Sequence, residues 1–392
     1  MPNSKLSDTR LQSIPTPAYV VYEDRLRQNL SKLRKTSEEC DVKIIMALKA
    51  NALWKTFPVV QEYFTSATAS SLNEMKLALE FIGNDVHAYC PVYTDRSFPE
   101  FLDGCTHITF NSLAQLEKFL PQMREHERKT GRYVSPGLRV NPKVSVLDYD
   151  IYNPALPGSR FGMAAEKLPE TLPDGLEGMH FHCLCESGPE VLEKVLQQFE
   201  KDFGKYLPQL KWVNFGGGHL ITRQGYDIEH LKKIIKGFKE RHPHLEVILE
   251  PGSAFTWQTG DLIVEVLDVV EDSGIKTAII DASFACHMPD CLEMPYKPKI
   301  AEALDDDSEE EGFTYRLGGN SCLSGDFVGD WKFREPLKPG DRLTLKDMNH
   351  YTTVKTHMFN GISHPSIWFV RSDGSQNLLR EFDYEDYKNR MS

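Results

Sequence analysis

The sequence predicts an α/β protein built as a (β/α)8 TIM-like barrel followed by a C-terminal all-β domain. Three observations carry that reading. Between Val42 and Glu250, short apolar strands alternate with helices about eight times, the pattern of a closed parallel barrel. Lys49, Arg139, His182, Gly216-Gly217-Gly218 and Glu250 all fall at or just past the C-terminal ends of those strands, where barrel loops converge on one mouth. After Gly252 the texture turns β-rich, punctuated by proline and glycine. An open doubly wound sheet is the alternative, but its strand order would spread those residues apart.

Taken in order, Pro15 to Tyr22 reads as a strand and Glu23 to Cys40 as an amphipathic helix with Leu26, Leu30 and Leu33 on one side. Lys43 opens the apolar run Ile44-Ile45-Met46-Ala47-Leu48, a strand buried on both faces, and Lys49 ends it. Helices are expected over 57–64, 72–81, 113–126, 190–206 and 228–241. Strands are expected over 67–70, 86–90, 107–111, 136–140, 179–183, 211–215 and 245–249. Beyond them, DLIVEVLDVV from Asp261 and KTAII from Lys276 read as strands, and DDDSEEE from Asp305 as a solvated loop. The expected domains are 23–262 for the barrel, and 1–22 with 263–392 for the β domain.

A chain of 392 residues has room for two full cores. No stretch reaches the roughly 18–20 apolar residues of a membrane span, and Met1 to Ser13 is polar, unlike a secretion signal. The eight cysteines are scattered, which favours free thiols and a cytoplasmic setting. A net charge of −12 disfavours nucleic acid as a partner and suits a cationic substrate.

Several residue types then point to chemistry. A lysine at the end of a buried strand loses part of its charge preference to desolvation and becomes a nucleophile toward carbonyls; a strand cap that snorkels to solvent is the bland reading. Gly216-Gly217-Gly218 can bring backbone amides close to a phosphate, or serve as a plain turn. Glu250, in Glu250-Pro251-Gly252, can pair with a ring nitrogen and hold it protonated, or with an arginine. In His180-Phe181-His182-Cys183, strand alternation puts the two histidines on one face. That is too few ligands for zinc, so a histidine stacked on a cofactor ring or packed in the barrel is preferred over a metal site. Cys322 in GGNSCLSGD can act as a general acid, and Asp326 can bind an ammonium. Asp281 and the phenol of Tyr351 are further candidates, for an acid and a phosphate contact. Together these are the parts of a pyridoxal phosphate site.

Over nearly its whole length the chain resembles the fold type III pyridoxal phosphate decarboxylases, the group of ornithine, diaminopimelate and carboxynorspermidine (carboxyspermidine) decarboxylases. The resemblance rests on ALKAN at 47–51, HFH at 180–182, NFGGG at 214–218, EPG at 250–252, CLSGD at 322–326 and HYT at 350–352. It implies an alanine racemase-like barrel and pyridoxal 5'-phosphate as cofactor, carried by Lys49. His182 would stack on the ring and Arg139 lie beside it. Glu250 would pair with the ring nitrogen, while Gly217, Gly218 and Tyr351 hold the phosphate. Cys322 and Asp326 would come from the other subunit of a homodimer, Cys322 to reprotonate the product, and Asp281 would meet the substrate's distal amine.

Within the group, HFHCLCE, EPGSAFTWQTG and CLSGD are most similar to the carboxynorspermidine (carboxyspermidine) branch, which implies a polyamine substrate. Ornithine and diaminopimelate decarboxylases carry arginine after EPG where this chain has Ser253. Diaminopimelate decarboxylases carry glutamate after the loop cysteine where this chain has Leu323. Cys185 stands where ornithine decarboxylase has a phosphate-binding serine. The competing readings are a diaminopimelate, lysine or ornithine decarboxylase, an amino-acid racemase, and a non-catalytic pyridoxal phosphate carrier.

Overall fold

The computed structural model describes residues 9–144 and 150–392. The chain forms two compact units: Arg27–Phe255, and the chain up to Leu26 together with Thr256–Ser392.

Arg27–Phe255 is a parallel barrel. Its strands are Ser66–Ala69, Asp85–Tyr89, His107–Phe110, Ser135–Arg139, Gly178–His180, Trp212–Asn214 and Glu246–Leu249, preceded by a first strand in two pieces, Lys43–Ile44 and Met46–Ala47. The first piece pairs with Glu246–Leu249 and the second with Ser66–Ala69, so this one interrupted strand closes the ring. Helices Leu72–Phe81, Leu113–Thr130, Pro189–Phe203 and Ile228–Arg241 pack outside it. Ser71 and Ser112 accept the third amide of the first two of these, which fixes where each helix starts. A further short helix, Phe98–Gly104, carries Pro99 in its first turn and is not among the expected elements. The strand expected at 179–183 stops at His180, so His182 lies in the loop beyond it.

Trp212 fills the barrel interior beside two glycines. A Cβ at Gly178 would lie 2.0 Å from the indole, and one at Gly137 2.3 Å. The indole Nε1 donates to Ser135 Oγ at 2.9 Å, so the ring cannot swing away without losing that bond. Gly178→Ala is therefore expected to overpack the interior and lower unfolding free energy by about 1–3 kcal/mol. Denaturant titration checks this, and an unchanged midpoint would show that the indole moves freely.

The second unit is built on one mixed sheet. Ala18–Tyr22 lies antiparallel to Gly260–Asp272 and parallel to Ser366–Val370. Ile275–Ile280, Phe313–Gly318 and Phe327–Phe333 extend the sheet on one side and Gln376–Arg380 on the other, while Arg342–Leu345 also pairs with Gly260–Asp272. Short helices at Phe284–His287 and Pro289–Glu293 and a C-terminal helix, Tyr384–Met391, accompany it. The expected boundary at residue 262 would divide Gly260–Asp272. The unit begins at Thr256 because that strand pairs with Ala18–Tyr22 from Gly260 onward.

Candidate active site

The C-terminal ends of the barrel strands open into a cavity of about 750 Å³, lined among others by Lys49, Tyr89, Arg139, His180, His182 and Glu250. Lys49 follows the Met46–Ala47 piece in a tight turn, with the amides of Ala50 and Asn51 bonded back to Ala47 and Leu48. The side chain projects into the cavity rather than into packed core, so solvent reaches it through the mouth. Enclosure by the surrounding protein still lowers its ammonium pKa; the Glu250 carboxylate opposes that shift and the Arg139 guanidinium adds to it.

His182 is held from behind. Gly217 N–H donates to its Nδ1 at 2.8 Å, which places the ring proton on Nε2, and burial keeps the imidazole neutral. The Gly217 amide, expected beside a phosphate, thus faces the His182 ring. Gly216 and Gly218 adopt left-handed backbone, and a Cβ at Gly218 would lie 2.2 Å from Leu184 O. A side chain there would collide with the Leu184 backbone, so only glycine lets the two loops lie this close.

Arg139 is buried, its guanidinium between the rings of Tyr89 and Phe161 at 4.5 and 4.7 Å. Tyr89 OH donates to Asn111 Oδ1, which also receives Gly162 N–H, while Asn111 Nδ2 donates to Arg160 O. Asn141 Nδ2 donates to Pro154 O and Phe161 O. These two asparagines fasten the long connection after Ser135–Arg139 back onto the strand ends. Glu250 takes a hydrogen bond from Asn214 Nδ2 at 2.7 Å, and its other oxygen lies 3.7 Å from His180 Nε2. No hydrogen bond reaches either ring nitrogen of His180 among the described residues, although it is buried.

Sequence reasoning thus found Lys49, Arg139, His182 and Glu250, and the structure brings all four to one cavity. It missed Tyr89, Asn111 and Asn214. Tyr89 ends its strand just as Arg139 does, so position alone marked it, whereas nothing in NFGGG sets Asn214 apart before the fold is known. It also missed Glu74, whose charge reaches Lys49 and whose carboxylate caps Ser70 N–H at 2.6 Å.

The remaining candidates belong to the sheet unit. Cys322 is exposed, and its amide donates to Asn360 Oδ1. Asp326 is buried and its oxygens accept from Ala285 N, Ser321 N and Ser321 Oγ. Through these bonds the carboxylate holds the 319–326 loop. Asp281 is half-buried; one oxygen accepts Glu265 N–H, and burial raises its pKa. Tyr351 sits at φ 52, in the left-handed region. Elsewhere, Asp85, His87 and His107 offer ligand atoms within 4.8 Å of one another. Lys43 Nζ already stands 2.8 Å from Asp85 and 3.2 Å from His87, which makes that cluster an internal ion pair.

Comparison with known proteins agrees with this geometry. Residues 19–349 match the family described as pyridoxal-dependent decarboxylase, C-terminal sheet domain. A carboxyaminopropylagmatine decarboxylase of Synechocystis is 46% identical over 98% of this chain and 98% of its own length. A carboxynorspermidine/carboxyspermidine decarboxylase of Campylobacter jejuni is 39% identical over 97% and 99%. The crystal structure of carboxynorspermidine decarboxylase complexed with norspermidine from Campylobacter jejuni superposes with a TM-score of 0.87 at 38% identity, covering 96% of this chain and all of that one. Helicobacter pylori diaminopimelate decarboxylase, at 18% identity and a TM-score of 0.79, shares the fold.

The donor set fits pyridoxal phosphate. The cavity offers a lysine of lowered pKa for the aldehyde, a carboxylate for the ring nitrogen and a neutral imidazole for the ring face. The chain is a member of the pyridoxal-dependent decarboxylases and uses pyridoxal phosphate as its cofactor.

Proposed function

We propose that this enzyme decarboxylates carboxynorspermidine or carboxyspermidine, releasing CO2 and norspermidine or spermidine in polyamine biosynthesis. The observation that carries the substrate class is the full-length likeness to the norspermidine-bound relative. Leu323 supports it: an apolar residue after Cys322 serves a methylene chain better than a charged amino-acid tail. When bound, pyridoxal phosphate supplies an electron-withdrawing ring that accepts the electron pair left by CO2.

The chain's own residues do the rest. Lys49, neutral more readily than a solvated lysine, would hold the cofactor at its aldehyde carbon. Glu250 would hold a proton at the ring nitrogen, and His182, in its Nε2–H form, would cover the ring face. Arg139, braced by Tyr89 and Phe161, would stand beside the ring. The phosphate falls to the loop at Gly218 and to Tyr351. Asp281 meets the substrate's distal amine, and Cys322, presented by a loop that Asp326 holds, returns one proton to the α-carbon. Cys322 belongs in this reading to the second subunit of a homodimer. The setting is the cytoplasm, in keeping with eight cysteines that form no disulfide. No described helix is long and apolar enough to cross a membrane.

The Synechocystis relative favours a second reading, in which the far end of the substrate is a guanidinium, as in carboxyaminopropylagmatine. CO2 release from purified enzyme decides between them. The expected kcat/KM is highest for the two carboxylated triamines, by about tenfold or more over carboxyaminopropylagmatine. The reverse order installs the second reading, and preference for diaminopimelate would remove both.

A further inference from the structure

Asn214 and Glu250 belong to different strand ends, yet hydrogen bonds join them into a closed circuit. Gly216 N–H donates to Asn214 Oδ1 at 2.8 Å, which settles the orientation of the side-chain amide. Its Nδ2 is then the end left to donate to Glu250 Oε1 at 2.7 Å. Glu250 N–H in turn donates to Gly216 O at 2.8 Å. The carboxylate is therefore tied to the glycine turn through its side chain and through its backbone. The turn itself has little freedom: Gly216 has φ +72, and a Cβ there would lie 2.4 Å from Phe181 O. Asn214 is only 2% exposed, so water does not compete for either bond. The circuit leaves Glu250 Oε2 as the oxygen not held by Asn214, 3.7 Å from His180 Nε2.

We propose that Asn214 is a positioning residue of the decarboxylation: its amide fixes the direction of the Glu250 carboxylate and, by donating, keeps it a hydrogen-bond acceptor toward the cofactor ring. The inference rests on the reading that Glu250 meets the ring nitrogen. Residue type matters because asparagine can accept at one end and donate at the other. An aspartate of the same size would set carboxylate against carboxylate, and the two would share one proton or turn apart. The other titratable groups facing Glu250 are His180 and Lys49.

The test uses holoenzyme carrying Asn214→Ala, Asn214→Asp or Glu250→Gln, and apoprotein reloaded with pyridoxal phosphate. Asn214→Ala is expected to lower kcat about 10–100-fold with KM little changed. Its apoprotein should bind pyridoxal phosphate about three- to tenfold more weakly, read by fluorescence titration. Asn214→Asp, which keeps the size but sets a second carboxylate against Glu250, should lower kcat at least as far as Asn214→Ala. A merely structural asparagine would lower Tm and leave kcat and cofactor affinity at wild-type values, and that result overturns the inference. Slow Glu250→Gln beside normal Asn214 variants removes this inference alone. Normal turnover by Glu250→Gln removes the reading of Glu250, and the inference with it.

Discussion

Lys49→Ala should abolish decarboxylation, with kcat/KM falling on the order of 10^4-fold. Among the described residues lining the cavity Lys49 is the one lysine, and enclosure makes its amine available below the pH at which a solvated lysine loses its proton. Lys49→Arg should fail as completely, because a guanidinium keeps its charge and cannot attack an aldehyde. Borohydride reduction of the wild-type holoenzyme should fix pyridoxal phosphate on the peptide that contains Lys49, and neither variant should be labelled. A label on another lysine, or turnover by Lys49→Ala within tenfold of wild type, would refute the assignment.

Mixing subunits should restore activity that neither parent has. Cys322→Ala is expected to slow turnover by about 10²-fold or more, as loss of a general acid does. If Cys322 serves the partner's barrel, a heterodimer of Lys49→Ala and Cys322→Ala subunits puts both lesions in one site and leaves the other intact. Random exchange makes about half the dimers mixed, so about a quarter of wild-type activity should return. Exchange verified by mass, with no gain in activity, would place Lys49 and Cys322 in the same subunit's site and end the shared-site proposal. The exposed position of Cys322, on a loop held by Asp326 and Asn360, is what makes donation across an interface feasible.

The sequence by itself determined the barrel and the principal residues at its mouth. Period and segment length report burial, and a reactive residue at a strand's C-terminal end is marked by position alone, as Lys49, Arg139 and Glu250 were. Other features depend on contacts between residues far apart in the chain. The strand expected to run through His182 ends at His180. Gly217, read as a phosphate contact, gives its amide to His182, 35 residues away. Asp326, read as an ammonium ligand, accepts hydrogen bonds from Ser321 and Ala285. In each case the residue type was read correctly as a donor or an acceptor, but a single hydrogen-bonding group serves whichever partner the fold brings within about 3 Å. Asn214 shows the same limit from the other side. Its letter in NFGGG carries no sign of function until the barrel closes and sets its amide against Glu250, because proximity across strands is a property of register, which only the tertiary structure decides.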